Sequence, residues 1–364
     1  MSKRKVVKKS NSFWLSKKIW VSVGILFLIG VILIIPKFTL LKASFKKTKN
    51  NKTITYFLDS KKGLSFLAED LVKKKVLSNS SDFIKIGEYK NLNEQRLASG
   101  KYLIQPKTSI KTLLNGFTKN SAGNGNAEVE VEVTFNNCKD IYALATCVSN
   151  CISLDRDKLV SEILNRERMN RLTLNTKTIS SIFFPNTYNF FYDTDEFQFL
   201  DRMEKVYTSF WNDERLKRLK FIGLNSPSQA VTLASVVYME QSRNSEEWPV
   251  IAGLYLNRIR KKMKLQSDPT FKFCWGDQLN GVQRLTYKHR EIDCPYNTYK
   301  YRGLPPGPIY IPPTSVLEAV LKPVESDYIY MCAKPNYSGT HNFSETYQEH
   351  KRFANEFQKW IASQ

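Results

Sequence analysis

Histidine is scarce in this chain. Only His289, His341 and His350 occur in 364 residues, and their spacing is not that of a metal site. Six cysteines are present, but no CxxC pair, which argues against structural zinc. There is no glycine-rich phosphate loop, no nicotinamide fingerprint and no Ser-His-Asp arrangement, so no cofactor or metal is implied. No internal repeat is strong enough to suggest a solenoid. Acidic residues are missing from the first 52 positions, which hold 13 of the basic ones. Most of the net charge of +21 therefore sits in that tail, leaving about +8 for the rest. A nucleic-acid surface would need the excess on the folded part, so no nucleic-acid partner is expected. The charge suits anionic lipid headgroups flanking a membrane span.

Such a span is present. Residues 19–35 carry no charge and are almost wholly apolar. Seventeen residues are at the short end for a spanning helix. Phe38, Leu40 and Leu41 lengthen the run to 19–41 if Lys37 snorkels. We expect a basic tail over 1–18, a transmembrane helix with its flank over 19–41, and a polar, lysine-rich stalk over 42–52. A cleaved signal peptide is the rival, with Ala43-Ser44 as a weak cleavage site. The excess of basic residues before the span is slight, and it weakly favours an N-terminus in the cytoplasm.

Residues 53–120 read as a small α+β module. Strand-like runs cover 55–58 and 100–104, and helical periodicity covers 64–74 and 109–117. Residues 121–126, Ser-Ala-Gly-Asn-Gly-Asn, form a linker by composition. Valine then alternates with glutamate over 128–135, which predicts one half-exposed strand. Residues 140–168 look helical. We assign 121–180 to linker and connector, and 181–364 to a larger α+β domain.

That domain holds the most informative stretch, Leu233-Ala234-Ser235-Val236-Val237-Tyr238-Met239-Glu240. Ser226 caps a predicted helix, with Pro227 at its first position. Stepping 100° per residue puts Glu240 on the arc of Leu233, Val236 and Val237. A carboxylate there is desolvated, paired or functional. Desolvation raises its pKa and lets it hold a proton near neutrality, as a general acid must. The alternative is a helix-end glutamate that turns to solvent or meets an arginine.

Further motifs follow in order: Trp248 to Ile259, Leu265-Gln266-Ser267-Asp268-Pro269-Thr270, Pro295-Tyr296-Asn297-Thr298-Tyr299, Gly303 to Ile309, and His341-Asn342-Phe343-Ser344. Together they resemble the YceG-like family of membrane-anchored endolytic murein transglycosylases. The resemblance runs over nearly the whole chain. It implies an anchored protein with a LysM-like α+β module at 53–120 and an α+β catalytic domain at 181–364.

The resemblance makes Glu240 the catalytic acid and base. The family segment has two glutamates, and this chain has Tyr238 at the first position. Asn186 stands where the family has an aspartate, which puts a charged role there in doubt. Gln266 could reach an acetamido group or position Glu240, and Ser267 keeps the hydroxyl of a family threonine. The Asp268-Pro269 step favours a turn whose carboxylate accepts backbone N–H bonds. Tyr296, Asn297, Thr298 and Tyr299 mix ring faces, amides and hydroxyls, as saccharide binding requires, and Asn297 and Tyr299 are expected to line the groove. Arg258 falls on the buried arc of the second helix beside Asn257, and we expect a structural pairing with a carboxylate other than Glu240. Glu246, Glu247 and Asp268 remain candidates for the second carboxylate of a water-using muramidase. A non-catalytic peptidoglycan-binding scaffold is the rival from another class. The implied setting is single-pass in the inner membrane with a periplasmic catalytic domain, acting on glycan strands beside cell-wall synthases. In that oxidising space Cys274 and Cys294 can close a loop, and Cys138 can pair with Cys147 or Cys151.

Overall fold

A computed structural model describes residues 12–118, 128–279, 282 and 286–364. The linker at 121–126 and most of the basic tail lie outside the described residues. The chain divides into two compact units, 1–130 and 131–364.

In the first unit, α1 (Ser12–Ser44) carries the apolar run. Its Trp20–Ser44 stretch is long and apolar enough to cross a membrane. Trp20, Leu28, Ile32 and Phe38 are all exposed, as lipid-facing side chains would be. Then come β1 (Ile54–Leu58), α2 (Gly63–Lys73), α3 (Ser81–Tyr89), β2 (Gly100–Ile104), α4 (Ile110–Gly116) and β3 (Glu128–Val129). The strands form one antiparallel sheet in the order β1-β2-β3, with Tyr56 opposite Tyr102. Leu67, Leu71, Phe83, Leu113 and Phe117 fill the core between sheet and helices. Sequence patterning missed α3, which is short and buries only Phe83, Ile86 and Gly87. The expected stalk is laid against this module: Thr48 N–H donates to Thr108 O, Lys49 N–H to Val76 O, and Lys46 O accepts from Ile110 N–H. Its lysine-rich composition marks exposed side chains, not a free backbone.

The second unit runs β4 (Val131–Thr134), α5 (Ile141–Ser149), α6 (Arg156–Ile163), α7 (Arg166–Arg171), β5 (Thr187–Phe190), α8 (Glu196–Phe210), α9 (Asp213–Phe221), α10 (Pro227–Glu240), α11 (Trp248–Arg260), α12 (Asp268–Trp275), α13 (Tyr287–Arg290), α14 (Thr314–Leu321), β6 (Tyr330–Ala333), β7 (His341–Ser344) and α15 (Tyr347–Ala362). The strand expected over 128–135 is divided at Glu130. Its first part pairs with β2, and its second part, β4, pairs with β5. Alternation specifies which faces are exposed but not which strand is the partner. The helical stretch at 140–168 is three helices, because Asp140, Asp155 and Asn165 each turn a side chain onto the next backbone N–H groups.

Helix α10 begins as expected, with Ser226 Oγ accepting from Gln229 N–H and Pro227 in the first turn. Ala230 to Val237 are all buried, so the helix is enclosed on every side by neighbours that include α11, α12 and α14. Each buried valine or leucine there is worth about 1.5–3 kcal/mol. Both end turns leave the core, and the last one delivers Glu240 to a polar rim.

Candidate active site

Glu240 is part-buried, and its carboxyl is held by two hydroxyls on one oxygen. Ser267 Oγ donates to Oε2 at 2.6 Å and Tyr255 OH donates to the same atom at 3.1 Å. Among the described residues, neither a guanidinium nor an ammonium pairs with it. Burial pushes the carboxyl above its ordinary value, the two hydroxyl bonds pull partly back, and the nearby Asp268 charge pushes up again. Tyr255 is 1% exposed and is itself held well above its usual range, by burial and by the Glu240 charge.

The Ser267 contact comes at the expense of a local rule. Ser267 is the N-cap of α12, yet its side chain makes no capping bond, because the hydroxyl is spent on Glu240. Gln266 has φ of +53°, a left-handed conformation that a residue with a Cβ seldom adopts. Its N–H donates to Thr298 O, and Ser267 N–H donates to Thr298 Oγ1 at 3.0 Å. These bonds fix the strained turn that aims Ser267.

Among the described residues Arg258 makes no carboxylate pair, contrary to expectation. Its guanidinium donates to the carbonyls of Ile329 (2.6 Å), Leu265 (2.7 Å) and Lys264 (3.2 Å), and to Gln266 Oε1 (3.3 Å). Backbone dipoles satisfy the buried cation, so among the described residues it makes no ion pair with Glu240. Asn257 donates to the carbonyls of Ser326 and Tyr328 and so ties α11 to the approach of β6.

Asn297 does not line a groove. It is fully enclosed, and its amide donates to Arg290 O and Ile292 O, both at 2.8 Å. Thr298 is likewise buried and bonds Thr270. Tyr299 is accessible, and its hydroxyl donates to Asp268 Oδ1 at 2.5 Å. Asp268 is therefore engaged by side chains, Tyr299 and Arg290 (3.3 Å), and among the described residues accepts no backbone turn bond. Tyr296 stays part-exposed beside Phe273, with ring centroids 4.7 Å apart.

Glu247 and His341 meet across 94 positions. Glu247 accepts from the His341 backbone N–H (2.7 Å), pairs with its Nδ1 (2.8 Å) and accepts from Gln241 Nε2 (2.8 Å). Burial alone would raise this carboxyl, but those bonds outweigh it and hold it below its ordinary value. Glu246 stays exposed. Cys274 and Cys294 are joined by a disulfide, whereas Cys138 and Cys147 are free thiols, Cys138 Sγ donating to Cys147 Sγ at 3.7 Å.

Sequence reasoning missed Tyr255 as a partner of Glu240. The available signal was a tyrosine on a stripe otherwise made of isoleucine and leucine. It also missed Arg290, which only tertiary packing brings to Asp268.

Fold and site define a mixed α+β protein with one desolvated, hydroxyl-held carboxyl. Comparison with known proteins places it more narrowly: the YceG-like family model matches residues 57–356, and the chain belongs to that family. A Bacillus subtilis protein named endolytic murein transglycosylase is 27% identical over 331 residues, covering 86% of this chain and 87% of that protein. One of the same name from Streptococcus pneumoniae is 27% identical over 175 residues, 46% of this chain but only 30% of that protein. A crystal structure of a putative YceG-like protein from Listeria monocytogenes superposes with a TM-score of 0.52 at 25% identity, over 83% of this chain and 99% of that one.

Proposed function

We propose that this chain is an endolytic peptidoglycan lytic transglycosylase that cuts between N-acetylmuramic acid and N-acetylglucosamine within glycan strands, with Glu240 as its acid and base. The observation that carries this reading is the carboxyl itself. It is desolvated, has no cationic partner among the described residues, and takes both hydroxyl donors on Oε2. The proton then resides on Oε1. Oε1–H donates to the glycosidic oxygen as the bond from that oxygen to the muramic anomeric carbon breaks. The substrate's own N-acetyl oxygen can assist the oxocarbenium-like centre. The Glu240 carboxylate next takes the proton of the muramic 6-hydroxyl, whose oxygen closes on the anomeric carbon. The product is a 1,6-anhydro ring, and no water is consumed.

A hydrolase would need a second carboxylate free to activate water. Asp268 and Glu247 are both occupied by other side chains, which favours the one-carboxyl route. Cavities of about 830 and 720 Å³ line α8 and the α9–α11 side, and neither contains Glu240.

The apolar helix and the basic tail support a single-pass inner-membrane protein with a cytoplasmic N-terminus and a periplasmic catalytic domain. Such placement suits action on nascent strands beside cell-wall synthases. Digestion of purified strands with the wild-type chain and Glu240→Gln tests the reading. The wild type yields anhydro ends. The variant, lacking the transferable proton, loses about 10²–10⁴ in rate. Full activity of the variant moves the chemistry elsewhere, and a wild type that makes no new ends leaves the scaffold reading.

A further inference from the structure

One cation stands beside the site without a part in the mechanism above. Arg290 ends α13, inside the segment closed by the Cys274–Cys294 disulfide. Its guanidinium lies over the Tyr299 ring at 4.8 Å, and its Nη2 is 3.3 Å from Asp268 Oδ1. Tyr299 OH bonds the same Asp268, and Asp268 follows Ser267, the residue that holds Glu240. The cation is thus fixed on Asp268, the carboxylate whose charge acts on Glu240. It remains 41% exposed, and Asp268 engages only its Nη2. Among the described residues no acceptor meets Nε or Nη1. The backbone carbonyl of Arg290 is held by Asn297, so both ends of the residue are positioned. Tyr287, at the start of the same helix, is 75% exposed.

A guanidinium with a half-open fork, oriented by a ring face and one carboxylate, selects planar anions over neutral hydroxyls. Along a peptidoglycan strand the sugars are neutral. The carboxylates sit on the 3-O arm of muramic acid, as the lactyl acid when the arm is bare and as peptide acids when a stem is attached. We propose that Arg290 forms a carboxylate-binding subsite beside Glu240 that receives this acidic 3-O arm. The inference rests on the transglycosylase reading and adds to it the part of the substrate that is recognised. A bound anion there would also favour the protonated form of Glu240, as Asp268 does, so binding of the arm and readiness of the acid reinforce each other.

The test compares kcat/KM for new anhydro ends with the full chain in detergent. Three substrates are used: strands bearing stems, strands stripped to the lactyl acid, and strands whose carboxyls are converted to carboxamides. A charge-assisted pair of this kind is worth roughly 10- to 100-fold. Arg290→Gln should lose that factor on an acidic substrate and lose little on the carboxamide strands, where the wild type already lacks the contact. Arg290→Lys, which keeps the charge, should retain part of the discrimination. Whether the loss appears with stemmed or with stripped strands identifies the carboxylate. Equal loss on acidic and carboxamide strands makes Arg290 a structural residue and overturns the proposal, as does no loss on any of them. A wild type inactive on all three defeats the transglycosylase reading itself, an outcome distinct from either.

Discussion

Ser267 and Tyr255 decide how Glu240 behaves. Both donate to the charged form, so each lowers a pKa that burial has raised. Activity that needs the protonated acid should fall as pH rises through the Glu240 value. Removing a donor raises that value further, so the alkaline limb of kcat/KM should move to higher pH in Ser267→Ala and in Tyr255→Phe. Loss of positioning should also lower the maximum by roughly 10- to 100-fold. A pH profile of each variant checks this, and a limb that moves to lower pH contradicts it. The glutamate was legible in the sequence because a carboxylate on an apolar arc is conspicuous. Its partners were not, since the helical wheel places Tyr255 in the core without saying what its hydroxyl meets. Asn297 misled for a related reason: an amide suits a sugar and a tight loop equally well, and here the loop uses it.

Among the elements, the junction of α10 and α11 holds the hairpin of β6 and β7. Glu247 binds the first residue of β7, and Trp248 Nε1 donates to Gln241 O at 2.6 Å. Glu247→Gln should cost about 2–3 kcal/mol at neutral pH, since the lost acceptor is charged and nearly buried. The folded carboxyl lies below its ordinary value of 4.5, so its contribution is complete above 4.5 and is lost as pH falls through the lower folded value. Denaturant unfolding should therefore show the gap between wild type and variant narrowing below pH 4.5; a gap that widens there contradicts the assignment. Elements with caps were readable: Ser226-Pro227 announced α10. The division of 128–135 between two sheets was not, because pairing depends on strands far away in sequence. The loop before α14 passes close to Lys177 at Gly307. A Cβ there would lie 2.0 Å from Lys177 O, so this approach admits only glycine.

For the molecule as a whole, the apolar N-terminal helix was legible from its run of hydrophobic residues, while its extent was not. Helix α1 continues past the expected span, and Ala43 near its end is buried in the core of the first unit. A chain beginning at Lys37 keeps that contact and loses the apolar run. It should stay in solution without detergent, whereas the full chain should resist alkaline extraction from membranes. A truncated chain that still pellets with membranes would place the anchor elsewhere.

The most direct measurement is digestion of glycan strands in heavy-oxygen water, followed by mass spectrometry of the new ends. Intramolecular closure by the muramic 6-hydroxyl takes no oxygen from solvent, so the account predicts unlabelled anhydro ends. Labelled reducing ends would show that water, not the 6-hydroxyl, closes the reaction, and would overturn the transglycosylase reading.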